Sequence, residues 1–276
     1  MENQVTTQQQ KKSLSELMHS RAVVGKLNDV WNSPQMANSF ISSVISVANG
    51  NPQLRKAEPM SIIGAAMVAS TMQLQVIPTL GQCYIIPYGS KAQFQVGYLG
   101  LLQLCQRSGK FKKILAAPVH EGEYISGDEF DEDYIFDRTK RKSDKVIGYM
   151  AKFELLNGFT KVAYWDIDKV KAHATKFSQA FRAGYNSPWK SDFDAMAQKT
   201  VLKSILKFAP KSIEMQNAVA FDQAVVNTNA SDVQDLDIDA FAPEYVDNIE
   251  SEKRENFAEK ATEAAKADAA KKEDKK

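Results

Sequence analysis

The sequence of 276 residues predicts an α+β fold, with N-terminal helices, a central antiparallel sheet of hairpins that contains a short inserted helix, and C-terminal helices. Three observations support this order. Apolar residues recur at helical spacing up to about residue 73. Two-residue turn signals, Gly89-Ser90 and Asn157-Gly158, then separate segments of strand character. An apolar stripe at helical spacing returns from Phe193 to Phe208.

Helix boundaries in the first third of the chain follow from local signals. One amphipathic helix is predicted from Ser13 to Trp31. A second begins with Ser33 as its cap and Pro34 in its first turn, and Asn49-Gly50-Asn51-Pro52 ends it. The third, from about Pro59 to Gln73, is nearly all small or apolar, so we expect it to be buried on most sides.

The sheet is predicted to begin near Gln82 with a hairpin across Gly89-Ser90. In its second strand, KAQFQV, apolar and polar residues alternate, which predicts one core face and one polar, exposed face. A short helix is expected from about Leu99 to Arg107, where Ser108-Gly109 ends it. Strand character resumes from Lys110 to His120.

A polar insertion and a second hairpin complete the sheet. Residues 121–145 carry the acidic run DEFDED and then the basic run RTKRKSDK, and we interpret them as a long hairpin or loop. Strands on either side of Asn157-Gly158 form the second hairpin, and Asp166 caps the helix that follows. Pro188 opens the last strong helix, which is predicted to continue to about Phe208.

The formal net charge of +1 conceals a division along the chain. Residues 91–211 hold 21 Lys+Arg against 14 Asp+Glu, whereas residues 222–276 hold 15 acids against 8 bases. A basic body with an acidic tail points to a polyanionic partner, although two solvated surfaces are the alternative. We therefore divide the chain into a disordered arm (1–12), a folded core (13–220) and an acidic, flexible tail (221–276) that contacts partner proteins.

Signatures of catalysis and cofactor binding are missing from the sequence. It has no phosphate-loop pattern, its three histidines lack metal-ligand spacing, and Cys83 and Cys105 are interpreted as small core residues. We expect no catalytic residue, metal site or cofactor, and magnesium should at most modulate binding to the polyanionic partner. A metal-dependent nuclease that uses Asp128, Glu129 and Asp131 remains an alternative.

No targeting or membrane segment is apparent in the sequence. The N-terminus is polar and lacks the apolar core of a signal peptide. No apolar run approaches the roughly 18 residues that a membrane span requires. A cytoplasmic protein with no membrane partner is therefore expected.

Lysines on the last predicted helix suggest a track for phosphates. Lys199, Lys203 and Lys207 recur every four residues, and Lys211 lies just beyond. Successive ammonium groups in such a row lie about 6 Å apart, close to the spacing of phosphates in a strand. No acid lies three or four residues from Lys203 or Lys207 within the helix, which favours a phosphate track over a solvated lysine face.

Further candidates for DNA binding lie in the sheet region. Two glutamines on the predicted exposed strand face are placed to bond phosphate or sugar, and a tyrosine is placed to stack on a base. Cations flank the short helix, and others in the polar insertion are chosen on charge alone. These candidates are Gln93, Gln95, Tyr98, Arg107, Lys110, Lys112, Lys113, Lys140, Arg141 and Lys142.

Three separated blocks resemble the RecT family of phage single-strand annealing proteins, over about residues 14–215. The blocks read IIGAAMVASTMQLQVIPTLGQCYIIPYG, QFQVGYLGLLQLCQRSGKFKKILAAPVHEGEYI and SPWKSDFDAMAQKTVLKSILKFAPKS. Lys203 departs from the family pattern, which often has arginine there; the charge is kept but the planar fork is lost. The tail beyond about residue 225 has no match that we can name.

The resemblance implies a core fold similar to that of eukaryotic annealing proteins, and ATP-independent pairing of complementary strands by a protein that is not an enzyme. Such proteins bind single-stranded DNA and the annealed duplex, and they form rings or helical filaments. They usually act beside a phage exonuclease in the host cytoplasm, and a host single-strand-binding protein is a further expected partner. Within the matching blocks the resemblance implies DNA binding by the Lys199–Lys211 row, Gln93, Gln95 and Arg107.

A passive single-stranded-DNA-binding protein is the main alternative, and it would slow pairing rather than speed it. A footprint of about five phosphate contacts per subunit is weak at physiological salt, so such a binder is expected to assemble along its strand. Exchange of Lys203 and Lys207 for glutamate is predicted to abolish annealing and to leave the fold intact, because both residues lie off the apolar stripe.

Overall fold

The structure, a computed structural model, describes residues 12–185, 187–228, 230 and 232–244. Helices and antiparallel sheets alternate in the order that the sequence predicts, which confirms the α+β class. The helices are α1 (Leu14–Met18), α2 (Arg21–Trp31), α3 (Pro34–Gly50), α4 (Pro59–Thr71), α5 (Tyr98–Arg107), α6 (Ile167–Phe177), α7 (Gln179–Arg182), α8 (Pro188–Ser191), α9 (Phe193–Leu206) and α10 (Ile213–Ala220). The strands are β1 (Cys83–Tyr88), β2 (Lys91–Val96), β3 (Phe111–His120), β4 (Tyr124–Ser126), β5 (Ile135–Phe136), β6 (Val146–Leu155), β7 (Thr160–Asp166), β8 (Ala224–Asn227) and β9 (Ala242–Glu244).

Capping side chains set the boundaries of the N-terminal helices. The predicted single helix Ser13–Trp31 is two helices, α1 and α2, because Ser20 starts a new helix by accepting a hydrogen bond from the Val23 N–H. The predicted start of α3 is confirmed, since Ser33 Oγ accepts from Met36 N–H with proline at the first helical position.

The first sheet has four strands in the order β1-β2-β8-β9. The β1–β2 hairpin across Gly89-Ser90 is confirmed, with Cys83 opposite Val96. Strand β8 pairs antiparallel with the other side of β2 and places Val225 opposite Gln93. Helix α4 packs against β2 and β8 and is buried from Ser61 to Ser70, as its composition predicts.

Two glycines allow α5 to lie directly on the chain segment before β1. A Cβ atom on Gly97 would lie 2.0 Å from the carbonyl oxygen of Gly81, and one on Gly100 would lie 2.0 Å from that of Gln82. The Gly97 N–H also donates to Gln82 O at 2.8 Å. The GYLG segment is therefore a site of close backbone contact, and it fixes where α5 and the cations after it emerge.

The second sheet is antiparallel with three strands in the order β3-β6-β7. One face is buried along Tyr149, Ala151 and Phe153 of β6, and α9 and α6 pack against this sheet. The predicted long helix from Pro188 to Phe208 is broken into α8 and α9, because the Asp192 carboxylate accepts the Ala195 N–H and starts a new helix.

Residues 121–145, which we call the lobe, leave the second sheet at the end of β3 and return at the start of β6. The predicted long hairpin is confirmed, since β4 and β5 pair antiparallel. Tyr124 stacks on Tyr164 of β7 with ring centroids 5.0 Å apart, and Phe136 also contacts Tyr164. The Glu121 N–H donates to Lys145 O at 2.9 Å and closes the base of the lobe.

The folded part of the chain continues beyond the predicted core boundary at residue 220. Strand β8 belongs to the first sheet, and Val233 and Leu236 are buried in the core. The described residues up to Pro243 form one compact unit. The predicted tail therefore begins too early, because the pairing partner of residues 224–225 lies about 130 positions upstream in β2. Residues 1–11 of the predicted arm and residues 245–276 of the predicted tail lie outside the described residues.

None of the helices in the described part of the chain has the length and apolarity that crossing a membrane requires.

Candidate nucleic-acid interface

Two lysines of the predicted phosphate track are bound to a buried carboxylate. Lys199 Nζ donates to Asp222 Oδ1 at 2.9 Å, and Lys203 Nζ donates to Asp222 Oδ2 at 2.6 Å. The Val96 N–H also donates to Asp222 Oδ1, at 3.2 Å. Lys199 and Asp222 are buried, whereas the Lys203 side chain is 34% exposed. The carboxylate thus ties α9 to the end of β2.

Charge and burial compete within this group. Burial alone would raise the pKa of Asp222, but the ammonium groups of Lys199 and Lys203 outweigh it and hold that pKa below its ordinary value. Burial lowers the pKa of the Lys199 ammonium, against the attraction of Asp222. With both lysines protonated, one carboxylate faces two ammonium groups, and the group has a formal charge of +1.

The four lysines of the predicted track therefore do not form one exposed row, because they differ in burial and in their position relative to α9. Lys199 is buried and is no longer available as an exposed cation. Helix α9 ends at Leu206, so Lys207 caps it and Lys211 lies beyond it. The search for acids three or four residues from Lys203 failed because Asp222 lies 19 positions after that lysine.

The two glutamines of β2 are buried, which corrects the prediction of an exposed polar face. Gln93 is 7% exposed and Gln95 is 5% exposed. Strand β8 makes β2 an interior strand, and Gln93 Nε2 donates to Gln223 O at 3.0 Å in the turn before β8. Both side chains are therefore largely removed from solvent.

Tyr98 closes the outer edge of β3. Its hydroxyl donates to Ala116 O at 3.3 Å and accepts the Ala116 N–H at 3.2 Å. Within the described part of the chain β3 pairs with β6 alone, so these backbone groups would otherwise lack a strand partner. Burial raises the pKa of the Tyr98 hydroxyl, and the ring is half-buried.

Arg107 caps the C-terminal end of α4. Its Nη2 donates to Met72 O at 2.7 Å, and its Nη1 lies 3.5 Å from Gln73 O. The guanidinium remains exposed beside a polar cleft of about 340 Å³, which Ser212 and Glu214 of the α10 start also line. Arg107 is thus partly committed to the fold and partly open to solvent.

The start of β3 carries Lys110, Lys112 and Lys113, all exposed, at one end of the three-stranded sheet. Lys112 Nζ lies 2.6 Å from Glu154 Oε1. Among the described residues, Lys110 and Lys113 have no ion pair. The Leu156 N–H donates to Lys110 O at 3.0 Å, which places these cations beside the β6–β7 turn.

Apolar side chains are exposed at the same end of the sheet. Leu156 is 67%, Phe159 46% and Phe208 51% exposed. Lys161 Nζ lies 4.3 Å and Lys207 Nζ 5.1 Å from the centre of the Phe208 ring, so α9 and β7 meet here. We call this surface the basic end, and it comprises Lys110, Lys112, Lys113, Lys161 and Lys207 with Leu156, Phe159 and Phe208.

Exposed rings among cations suit a single strand. A base that stacks on an aromatic ring gains about 1–3 kcal/mol whatever its sequence. Three strands about 4.8 Å apart make the basic end roughly 10 Å wide, enough for neighbouring phosphates. Two acids, Glu154 and Glu132, pair with Lys112 and Lys161, so the surface keeps a positive excess.

The lobe cations Lys140, Arg141 and Lys142 are exposed but lie at the opposite end of the sheet. Strand β3 runs for ten residues before the lobe, which corresponds to about 33 Å. Arg141 Nη2 also pairs with Asp144 Oδ1 at 2.8 Å. The structure therefore does not join these candidates to the basic end.

The acids of the lobe do not form a metal centre. Asp128 Oδ1 accepts the N–H groups of Phe130 and Asp131, and Glu129 Oε2 pairs with Lys169 Nζ at 2.9 Å. Among the described residues, no group of three or more His, Cys, Asp or Glu side chains is arranged to hold a metal ion. Cys83 and Cys105 are buried free thiols, as predicted.

Sequence reasoning missed four residues of this region: Phe159, Lys161, Phe208 and Asp222. It assigned Phe208 to the core stripe of the last helix, which is wrong because α9 ends two residues earlier and the ring turns outward. Phe159 stands directly after the Asn157-Gly158 turn, and that exposed position was a usable signal. Nothing local to Asp222 indicates its partners.

Comparison with known proteins finds one matching family and two relatives described below. The RecT family is matched by residues 38–235, which include the whole basic end. Uncharacterized protein YqaK of Bacillus subtilis (strain 168) is 40% identical over 252 residues, which cover 91% of this chain and 84% of YqaK. Protein RecT of Escherichia coli (strain K12) is 28% identical over 181 residues, which cover 62% of this chain and 66% of RecT.

Proposed function

The chain belongs to the RecT family, and on that premise we propose that it is an ATP-independent single-strand annealing protein that promotes homologous recombination. Family membership supports annealing and recombination as the class of activity. In this proposal the protein binds single-stranded DNA and the annealed duplex as a ring or helical filament of identical subunits. It pairs strands by binding alone and is not an enzyme.

The basic end is the observation that carries the proposal. Its lysines offer charge to phosphates, and Phe159 and Phe208 offer ring faces to bases. Neither kind of contact reads base sequence, and an annealing protein must accept any pair of complementary strands. Contacts of this kind hold the backbone and leave base edges free to pair.

The Lys199–Asp222–Lys203 group adds to the same electrostatic field. Its uncompensated positive charge is presented through Lys203, which lies one helical turn before Lys207. Because the group is largely buried, its charge is screened less by salt than that of a free surface lysine. We propose that Lys203 supports phosphate binding from this fixed position rather than as part of an open row.

Exchange of Lys110 and Lys113 for glutamate tests the proposal. The double variant should pair two complementary labelled oligonucleotides more slowly than the wild type, without any nucleotide present. Loss of two phosphate contacts should also lower the slope of log affinity against log salt by about 1.4 for a single strand. Exchange of Arg55 and Lys56, two exposed cations between α3 and α4, is the matched control and should change neither quantity.

The same assay separates annealing from passive binding. An annealing protein speeds pairing when it is added to the two strands, whereas a passive binder slows it. If the wild type slows pairing at every protein concentration, the proposal fails. If the Lys110, Lys113 variant keeps the wild-type pairing rate and salt slope, the basic end is not the DNA-binding surface.

Partners are part of the proposal. Annealing needs strands with exposed ends, so we propose an exonuclease that supplies them, and a single-strand-binding protein of the host cell as a second partner in the cytoplasm. No cofactor is required for pairing in this scheme. Magnesium enters only by modulating DNA binding, because it competes for the same phosphates.

A further inference from the structure

The lobe presents a phenylalanine almost entirely to solvent. Phe130 is 97% exposed, more than any other large hydrophobic side chain in the described part of the chain. It lies in residues 128–133, which we call the acidic tip. The acids around it are Asp128, Glu129, Asp131, Glu132 and Asp133.

Ion pairs on both sides of Phe130 attach the acidic tip to the body of the protein. Glu129 Oε2 pairs with Lys169 Nζ at the start of α6. Glu132 pairs with Lys161 and accepts the Val162 N–H at the outer edge of β7. Phe130 is thus displayed on an anchored turn. The turn therefore has little conformational freedom to lose when Phe130 contacts a partner.

The complementary surface lies on the same lobe. Residues 138–145, which we call the basic arm, hold five cations and one acid. Among the described residues, Arg138, Lys140 and Lys142 have no ion pair. Just before the arm, β4 and β5 expose two apolar side chains, Ile125 at 40% and Ile135 at 54%.

We propose that the acidic tip of one copy of this chain docks on the basic arm of the next copy, with Phe130 packed against Ile125 and Ile135. Opposite charges on the two surfaces select this pairing and disfavour tip-to-tip or arm-to-arm contacts. The apolar contact at the centre supplies the anchor, as buried aromatic residues do in protein interfaces.

Two different surfaces of one chain meet in this contact, so it is heterologous and repeats from copy to copy. Repetition of such a contact gives a ring if the rotation closes and a filament if it does not. The inference rests on the proposed function, which needs copies side by side on a strand. It assigns Lys140 and Lys142 to protein contact instead of DNA.

Paired charge reversals test the contact. One variant carries Asp131→Lys with Asp133→Lys, and the other carries Lys140→Glu with Lys142→Glu. Each alone should fail to self-associate in sedimentation velocity without DNA, because the formal charge of the tip falls from −5 to −1 in the first variant and that of the arm from +4 to 0 in the second. An equimolar mixture should form dimers and nothing larger, since the unaltered tip of the second variant can still dock on the unaltered arm of the first.

Phe130→Ala tests the apolar anchor with the charges unchanged. The dissociation constant for self-association should rise by roughly tenfold or more. Ile213→Ala on α10, where the side chain is 75% exposed, is the matched control and should leave assembly unchanged. Circular dichroism spectra of all variants should match the wild type, since these side chains lie on the surface.

Binding of each variant to an oligonucleotide short enough for one copy separates this inference from the proposed function. We expect that affinity to stay at the wild-type value. The contact is overturned if either variant assembles alone like the wild type, if the equimolar mixture forms no dimers, or if the wild type stays monomeric alone and on long single strands. If the Lys140, Lys142 variant assembles normally but loses affinity for the short oligonucleotide, these lysines bind DNA and not a second copy. If the wild type does not speed pairing, the proposed function fails and the contact between copies is unaffected.

Discussion

At the scale of single residues, Asp222 determines how the lysines of α9 are held. We predict that Asp222→Asn lowers the free energy of unfolding by about 3–5 kcal/mol, because it leaves buried Lys199 without a counter-ion. Urea titration followed by circular dichroism measures this change. Asp144→Asn, at an almost fully exposed carboxylate paired with Arg141, is the control and should show no measurable change.

The lowered pKa of Asp222 also predicts a dependence of stability on pH. A carboxyl whose pKa is lower in the folded state stabilises the fold above its unfolded pKa of about 3.9, and loses that contribution as pH falls through the folded value. The wild type should therefore lose stability below about pH 4 with a component that Asp222→Asn lacks. Urea unfolding midpoints of both proteins, measured from neutral to acid pH, give this component. If the two midpoints fall with pH by the same amount, Asp222 is not its source.

The same group changes the expected result of the Lys203, Lys207 exchange. Glutamate at position 203 would place a second carboxylate beside buried Asp222, so the fold is expected to lose stability together with annealing. Lys207→Glu alone leaves that group intact and is the informative single exchange. The sequence could not show this, because the residues in contact are 19 positions apart.

Tyr98 can be tested by removing only its hydroxyl. Tyr98→Phe should lower the free energy of unfolding by about 1 kcal/mol, since the Ala116 backbone groups at the edge of β3 lose their partner. The ring remains, so any stacking on a base is kept and the pairing rate should stay at the wild-type value. A slower pairing rate with unchanged stability would assign the hydroxyl to DNA instead.

At the scale of elements, the contact between α5 and the chain before β1 leaves no room for a methyl group. We predict that Gly97→Ala or Gly100→Ala destabilises the protein by on the order of 3 kcal/mol or more, because each Cβ would overlap a backbone carbonyl. Gly25→Ala in α2 is the matched control. Its Cβ has no neighbour within 4 Å, so better helix propensity should stabilise the protein by about 0.5–1 kcal/mol.

Elements with local signals could be predicted from the sequence. The Ser33-Pro34 start, the two glycine-containing turns and the Asp166 cap all appear where the sequence places them. The pairing of strands far apart in the sequence could not be predicted, because β8 lies about 130 positions after its partner β2. The chain that leads into β8 supplies the Gln223 carbonyl to Gln93, and it carries Asp222 to the lysines. The basic end was predicted only in part: four of its five lysines were chosen as cations of the matching segments, whereas Lys161 and the exposed rings were missed, and the exposure of Phe208 depends on where α9 ends.

At the scale of the whole molecule, the boundary of the folded unit can be tested by truncation. A chain that ends after Glu244 should keep the far-ultraviolet spectrum and a single cooperative melting transition, because it retains β8, β9 and Asp222. A chain that ends after Ala220 should fail to fold, since it loses the neighbour of β2 and the counter-ion of Lys199. A cooperative transition in the shorter chain would restore the boundary that the sequence predicts.

Both outer margins of the three-stranded sheet are occupied by side chains of the same molecule, Tyr98 on one side and Glu132 on the other. A strand of a second molecule could extend this sheet past Ala116 or Val162 only by displacing those side chains. The contact between copies that we propose uses ionic and apolar patches instead, which dilution or added electrolyte can undo. On the proposed function, a coat held by such patches can come off a finished duplex, whereas one joined strand to strand would remain as an aggregate.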